Sequence, residues 1–290
     1  MRSLLFIPGH DERKLQKGLV CGADALILDL EDAVPAAEKA QAREVTCAFV
    51  RAHRELPIFV RVNSLSSGLL QDDLAAVVAA RPYGIMLPKC EGGQDLATLD
   101  AALTKLEASE QIQTGSIVVL PVVTESAIAV LNLPTYPRQT ESRLWGMLWG
   151  GEDLATDMSV PANRCETGQY TALFQMARSM TLLAAAAARA VAVDAVYTNF
   201  RDTQGLRAEA EQARRDGFKA KAAIHPDQVP IINEVFQVSS AELDYARQVV
   251  AAFEAAPQAG SVSIDGQMVD RPHYVAACRL LNVAVSANPL

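Results

Sequence analysis

Ala25-Leu26-Ile27-Leu28-Asp29-Leu30-Glu31-Asp32 is the stretch on which the reading of this chain turns. Its first four residues are apolar without alternation, the pattern of a strand buried on both faces. Such strands belong to parallel sheets covered by helices. The run then ends in three carboxylates within four residues. In a parallel barrel the C-terminal ends of strands carry the chemistry, so a strand that stops in acid groups marks a candidate site as well as a fold.

Working outward, similar short apolar runs fall at 3–8, 25–30, 57–62, 84–88, 117–123, 144–149, 195–198 and 220–224. Between and after them lie helical segments at 12–21, 37–53, 70–80, 94–108, 126–131, 168–191, 205–215 and 227–235. Eight strand–helix units in series predict an α/β fold, a (β/α)8 TIM barrel. The alternative, a doubly wound sheet, is weakened because no G-x-G-x-x-G follows a candidate strand. The 290 residues suit one barrel domain over 1–238 and an extension over 239–290. The extension reads as a helix at 240–255, a hairpin at 261–270 turning at Asp265-Gly266, and a helix at 272–285. It is expected to pack on the barrel or on a neighbouring subunit.

The composition excludes several classes. Lys plus Arg number 26 against 34 Asp plus Glu, a net charge of −8, which argues against nucleic-acid binding. The longest stretch free of charged residues, 111–124, is too short to span a membrane and is broken by Gly115 and Pro121. The opening residues show no signal-peptide core with a cleavage site. Five scattered cysteines without C-x-x-C spacing indicate neither a zinc site nor a disulfide framework. The expectation is a cytoplasmic protein with reduced thiols.

The chemistry should sit where charged residues end apolar runs. Asp29, Glu31 and Asp32 repel one another unless solvated, paired with a cation or near a metal; a solvated loop would also read this way. Arg61, in Val60-Arg61-Val62-Asn63, is costly in an apolar strand unless paired. It either grips a carboxylate or thioester oxygen through its planar fork or forms a structural ion pair with Asp29 or Glu31. Glu125 follows the run 118–124, and Asp153 follows Gly150-Gly151-Glu152. Two carboxylates from neighbouring strand ends suit Mg²⁺, whereas zinc prefers His and Cys; a helix N-terminal charge is the plainer explanation of each alone. Lys89 neutralises an anion or forms a Schiff base, and the metal route fits the two carboxylates better. Asp29, Glu31, Asp32 and Lys89 are therefore read as supports around Arg61, Glu125 and Asp153. His225, alone at a strand end, reads as structural.

These residues resemble the HpcH/HpaI aldolase/citrate lyase family, in particular its citrate lyase beta-subunit-like members. The likeness runs through Arg2-Ser3-Leu4-Leu5-Phe6-Ile7-Pro8-Gly9, then Asp29-Leu30-Glu31-Asp32-Ala33-Val34, Lys39 with Arg43, Val60-Arg61-Val62-Asn63, Pro88-Lys89, Thr124-Glu125-Ser126, 150–154, Gly217-Phe218 and Ile224-His225-Pro226. Ser126 and Ala220 stand where the family usually has threonine and glycine. The resemblance implies a TIM barrel, usually oligomeric (a homo-trimer or hexamer), with Mg²⁺ held by Glu125 and Asp153 and substrate met by Arg61 and Glu125. It implies a lyase acting on a 3-hydroxyacyl thioester such as citramalyl-CoA, malyl-CoA or citryl-CoA, with acetyl-CoA and a 2-keto acid as products. With CoA as the carrier, Arg2, Arg13, Lys14 and Lys17, around the first strand and helix, are the nearest supply of positive charge for its phosphates. A hydroxyacyl-CoA thioesterase, a citrate lyase beta subunit acting on citryl-acyl carrier protein, and a non-enzymatic carrier-binding module are the alternatives.

Overall fold

The structure, a computed structural model, describes residues 1–138 and 143–281. It divides into two units, Met1–Phe236 and Gln237–Leu290.

In the first unit the order is β1 (Ser3–Pro8), α1 (Glu12–Gly18), β2 (Ala25–Asp29), α2 (Lys39–Ala52), β3 (Ile58–Arg61), α3 (Leu70–Ala80), β4 (Gly84–Leu87), α4 (Gly93–Ser109), β5 (Val118–Pro121), α5 (Ala127–Asn132), β6 (Gly146–Leu148), α6 (Glu152–Asp157), α7 (Ala172–Ala188), β7 (Val191–Asp194), α8 (Thr203–Asp216), β8 (Ala220–Ala223) and α9 (Gln228–Val235). Among the described residues the eight strands are all parallel, in the order β5-β4-β3-β2-β1-β8-β7-β6. Parallel bridges Val119↔Leu144 and Val122↔Leu148 join the two outer strands, so the sheet closes into the expected (β/α)8 barrel.

The lack of alternation has a direct structural cause. Leu4, Ile27, Phe59, Met86, Leu120, Leu148 and Val193 point into the barrel and fill it. Leu5, Leu26, Leu28, Val60, Ile85 and Val119 point outward and are buried under the helices. Interior volumes are matched across strands. Phe59 sits in register with Gly84, where an added Cβ would come within 2.6 Å of the Phe59 ring.

Two expectations are corrected. The seventh strand is Val191–Asp194 rather than 195–198. The alanine-rich α7 ends at Ala188, capped by Arg189 in the left-handed region at φ 56°, where glycine would be the usual signal. Without that signal the helical pattern reads on into Val191. The short α6 was not anticipated: six residues give too little periodicity, although Glu152 and Asp153 in its first turn suit the helix dipole.

The second unit holds α10 (Ser240–Ala255), the hairpin β9 (Ser261–Ile264) and β10 (Gln267–Asp270), and α11 (Arg271–Leu281). A Ser239–Glu242 capping box starts α10. Asp265 and Gly266, at φ 50° and 79°, make the hairpin turn. Val249, Phe253, Val269, Tyr274 and Cys278 form this unit's own core. The part of the closing helix expected beyond 281 lies outside the described residues. Among the described residues no helix is long and apolar enough to cross a membrane.

Candidate active site

The strand C-termini surround a cavity of roughly 330 Å³ lined by Asp29, Arg61, Glu125, Glu152 and Asp153 together with apolar side chains from β1 and β6 and from the residues that follow β5, β7 and β8. That is within the size range of small-molecule sites.

Strand register builds the first part. Asp29 and Arg61 end β2 and β3 and are direct partners in the ladder. The guanidinium grips the carboxylate in fork geometry, with Nε to Oδ1 and Nη2 to Oδ2 both at 2.7 Å. Asp29 is held from its other side by the backbone N–H groups of Glu31 (2.9 Å) and Ala33 (3.0 Å). Arg61 Nη1 also lies 3.0 Å from Glu31 Oε2, and its guanidinium carbon is 5.1 Å from the centre of the Phe6 ring. The ion pair considered for Arg61 is thus present, and the same side chain faces the cavity.

A network behind the wall fixes the ends of β2 and β3. Lys39 Nζ donates to the carbonyls of Leu30 and Glu31, both at 2.7 Å, and to Asn63 Oδ1 at 2.9 Å. Asn63 donates to Asp73, fully buried, which accepts from Arg43 Nε at 2.6 Å.

Lys89 links both sides of the site. Its ammonium donates to Glu31 Oε1 and lies 3.5 Å from Asp32. Its backbone N–H donates to Glu125 Oε2. Lys89 adopts φ 51°, an uncommon conformation for a side-chain-bearing residue, and strain of this kind gathers at functional sites.

Glu125 is buried. Burial, opposed by the Lys89 N–H and reinforced by the charges of Asp153 and Glu31, pushes its carboxyl up to about 8. Glu31 is also raised, chiefly by burial, with Arg61 and Lys89 pulling it back. Asp153 is half-buried in the first turn of α6. The turn before it is close-packed: a Cβ on Gly150 would meet Glu125 Cγ at 3.0 Å, and Gly150 N donates to Thr124 Oγ1 at 2.9 Å.

These donors fit Mg²⁺. No protein donor reaches Glu125 Oε1 or the Asp153 carboxylate among the described residues, and both side chains line the cavity. Neither His nor Cys lines it, and no group of three or more His, Cys, Asp or Glu is spaced for a metal among the described residues. One or two carboxylates with open positions for water and substrate are what Mg²⁺ asks for.

The basic residues proposed for phosphates are not all brought together. Arg2 precedes β1, at the strand end away from the cavity, and its guanidinium is bound to Asp24 at 2.8 and 2.9 Å. Arg13, Lys14 and Lys17 are exposed on α1, with Lys14 3.2 Å from Asp11. His225 stacks on Phe200 at 4.9 Å, half-exposed at the rim. Sequence reasoning gave no role to Tyr170, which lines the cavity against Trp149, nor to Asp194, the buried carboxylate that ends β7. Asp194 carries the same signal as Asp29, an apolar run ending in an acid, and was hidden by the misplaced seventh strand.

A closed (β/α)8 barrel whose strand ends converge on a cavity of carboxylates and one forked arginine defines a TIM-barrel enzyme. Residues 2–226 match the HpcH/HpaI aldolase/citrate lyase family, and the chain belongs to it. It is an enzyme of the lyase class, and magnesium is the cofactor of its family. The chain is 33% identical over 293 residues to the citrate lyase subunit beta of Leuconostoc mesenteroides subsp. cremoris, covering 100% of this chain and 94% of that one. It is 36% identical over 288 residues to a (3S)-malyl-CoA thioesterase of Cereibacter sphaeroides, covering 97% and 93%. In structure it is similar to the protein CitE of Mycobacterium tuberculosis in complex with magnesium, acetoacetate and coenzyme A, with a TM-score of 0.75, 29% identity and 97% of each chain covered.

Proposed function

We propose that the chain is a Mg²⁺-dependent carbon–carbon lyase that splits a 3-hydroxyacyl-CoA thioester of the malyl, citramalyl or citryl kind into acetyl-CoA and a 2-keto acid. The observation that carries this is that two carboxylates with oxygens free of protein donors among the described residues and an arginine held by Asp29 line one cavity. Glu125 and Asp153 would hold the ion. When bound there, Mg²⁺ supplies Lewis acidity to the hydroxyl and carboxylate oxygens of the substrate. Asp29 takes one N–H from Nε and one from Nη2 of Arg61, and Nη1 stands 3.0 Å from Glu31 Oε2 as an ion pair, so among the described residues both terminal nitrogens keep N–H groups not hydrogen-bonded to the protein. Those donors stabilise negative charge on the thioester oxygen as the C–C bond breaks. Their cost in reorganisation is small because Asp29 fixes the fork beforehand. Phe6, Trp149, Tyr170 and Val196 give the cavity an apolar side.

Thioester hydrolysis is the second candidate activity, favoured by the similarity to the malyl-CoA thioesterase. Citryl-acyl carrier protein as substrate is favoured by the similarity to the citrate lyase subunit. The proposed setting is a cytoplasmic homo-oligomer, in keeping with five free cysteines. A product assay separates the activities. Malyl-CoA, citramalyl-CoA and citryl-CoA are each incubated with Mg²⁺ and with EDTA, and the products are resolved by chromatography. Mg²⁺-dependent acetyl-CoA with glyoxylate, pyruvate or oxaloacetate is expected. Free CoA with an intact hydroxy acid would replace the lyase by a thioesterase.

A further inference from the structure

Behind the cavity wall formed by Trp149 lies a charge cluster that the proposed chemistry does not use. Asp194, buried at the end of β7, accepts three bonds: from Trp149 Nε1 at 2.8 Å, from Arg178 Nε at 3.0 Å and from Lys221 Nζ at 2.6 Å. Lys221 is fully buried and also donates to the Ala195 carbonyl at 2.7 Å and to Glu209 at 2.9 Å. A carboxylate bound from three directions has little rotational freedom, and a buried charge set of this kind is retained only where each member is paired. The indole N–H is therefore directed at a fixed point.

The other side of the indole shapes the turn that leads to Asp153. A Cβ on Gly151 would meet Trp149 Cζ3 at 3.0 Å and Cη2 at 3.3 Å, so the backbone of residue 151 lies directly on the ring. Glu152 and Asp153 follow at once in α6. Tyr170 closes on the ring edge-to-face, with centroids 4.8 Å apart. A six-residue helix has almost no stability of its own, so its start is set by what it packs on.

We infer that Trp149 is a positioning residue. Its indole, held at the N–H by Asp194, fixes the Gly150-Gly151 turn that brings the Asp153 carboxylate into the cavity with Glu125. This rests on the assignment of Glu125 and Asp153 as the metal carboxylates. Supporting groups that orient a metal's ligands typically change affinity 10–100-fold when lost.

The test is Trp149→Phe, which removes both the N–H held by Asp194 and the ring atoms Cζ3 and Cη2 on which residue 151 rests, while Asp194 keeps Arg178 and Lys221. Mn²⁺ serves as the probe, its binding to the full chain followed by electron paramagnetic resonance without any turnover. Leu103→Ala, in the buried face of α4, is the control for lost stability alone. Trp149→Phe is expected to weaken Mn²⁺ binding about tenfold or more, by analogy with other supporting groups, and Leu103→Ala to leave it unchanged. Gly151→Ala, which forces backbone and ring apart from the opposite side, should weaken it too and serves if Trp149→Phe does not fold. Wild-type binding that both Trp149→Phe and Gly151→Ala leave intact would overturn the inference alone. Equal weakening by Leu103→Ala would also overturn it, by making the effect one of stability. No Mn²⁺ binding by the wild type would overturn the metal assignment and the inference with it.

Discussion

Replacing Arg61 by lysine separates two roles that one side chain combines. The guanidinium makes two bonds of 2.7 Å to Asp29 and approaches Glu31 at 3.0 Å. A lysine keeps the charge but not the fork, so it answers one Asp29 oxygen and loses the second bond and the Glu31 contact. A hydrogen bond to a charged group is worth about 1.5–3 kcal/mol. Asp29 retains its two backbone donors, which limits the loss to about 2–3 kcal/mol by the same scale. For a unit of this size that is roughly 4–12 °C in Tm, at about 2–4 °C per kcal/mol. If the remaining N–H groups of Arg61 also meet the substrate, kcat/KM should fall about 100-fold, equivalent to roughly 2.7 kcal/mol of transition-state stabilisation. Thermal unfolding followed by circular dichroism and thioester cleavage at a temperature where both proteins are folded measure the two effects separately. A lowered Tm with unchanged kcat/KM would refute the catalytic part and leave Arg61 as a rim ion pair. An unchanged Tm would refute the structural part.

Asp153→Ala should abolish Mg²⁺-dependent turnover while leaving the circular dichroism spectrum unchanged, because no protein donor depends on that carboxylate among the described residues; full activity would remove it from the site. Glu107 is fully buried and accepts from Arg143 and from the N–H groups of Gly115 and Ile117. Burial works against its charge, but these donors outweigh it and hold the carboxyl below its ordinary 4.5. A depressed value gives stability that is present above pH 4.5 and lost as the pH falls through the folded value. Glu107→Gln should therefore flatten the acid limb of a urea-unfolding series below that pH, and an unchanged limb would count against the pairing. Burial disfavours the Lys89 ammonium, but Glu31 and Asp32 outweigh this and hold it protonated, which is the wrong state for Schiff-base chemistry. Borohydride with a 2-keto acid should trap no adduct and Lys89→Ala should keep measurable turnover, whereas trapping at Lys89 would restore the aldolase-type mechanism.

The legible parts of the sequence were those where one signal has one meaning. Leu26-Ile27-Leu28 is apolar on both faces because one face fills the barrel and the other meets helices. Asp29 and Arg61 could each be picked out because a charge at the end of an apolar run is costly without a partner. The sequence offers either Asp29 or Glu31 as the partner of Arg61; the β2–β3 register sets Asp29 directly beside it. The seventh strand was hidden because Arg189 does the work of a glycine at the end of α7. With it went Asp194, and with Asp194 the link between Trp149 and Lys221. Lys221 could not be anticipated from Ala220-Lys221-Ala222, where a lysine reads as exposed until its three acceptors come from β7, the residue after it and α8. Arg2 shows the opposite error: a basic residue close to the site in sequence stands at the other end of its strand, bound to Asp24.

The distribution of charge bears on why so acidic a rim would accept an anionic substrate. Asp29 is answered by Arg61, and Glu31 by Lys89 and Arg61. Glu125 and Asp153 have no cationic side chain within ion-pair distance among the described residues; the Lys89 N–H donates to Glu125, and Lys89 stands at φ 51°. A backbone conformation of that kind costs of order 1–3 kcal/mol, and it occurs at the residue whose N–H holds Glu125. A proton on Glu125 would cancel one charge and still leave Asp153 facing an incoming carboxylate. A divalent cation cancels both and gives that carboxylate something to bind. On the proposed function, affinity for the ion and affinity for the acyl carboxylate are therefore one coupled quantity. The residues that tune it are those that hold Glu125 and Asp153 apart and aligned, Lys89 on one side and the Trp149 turn on the other.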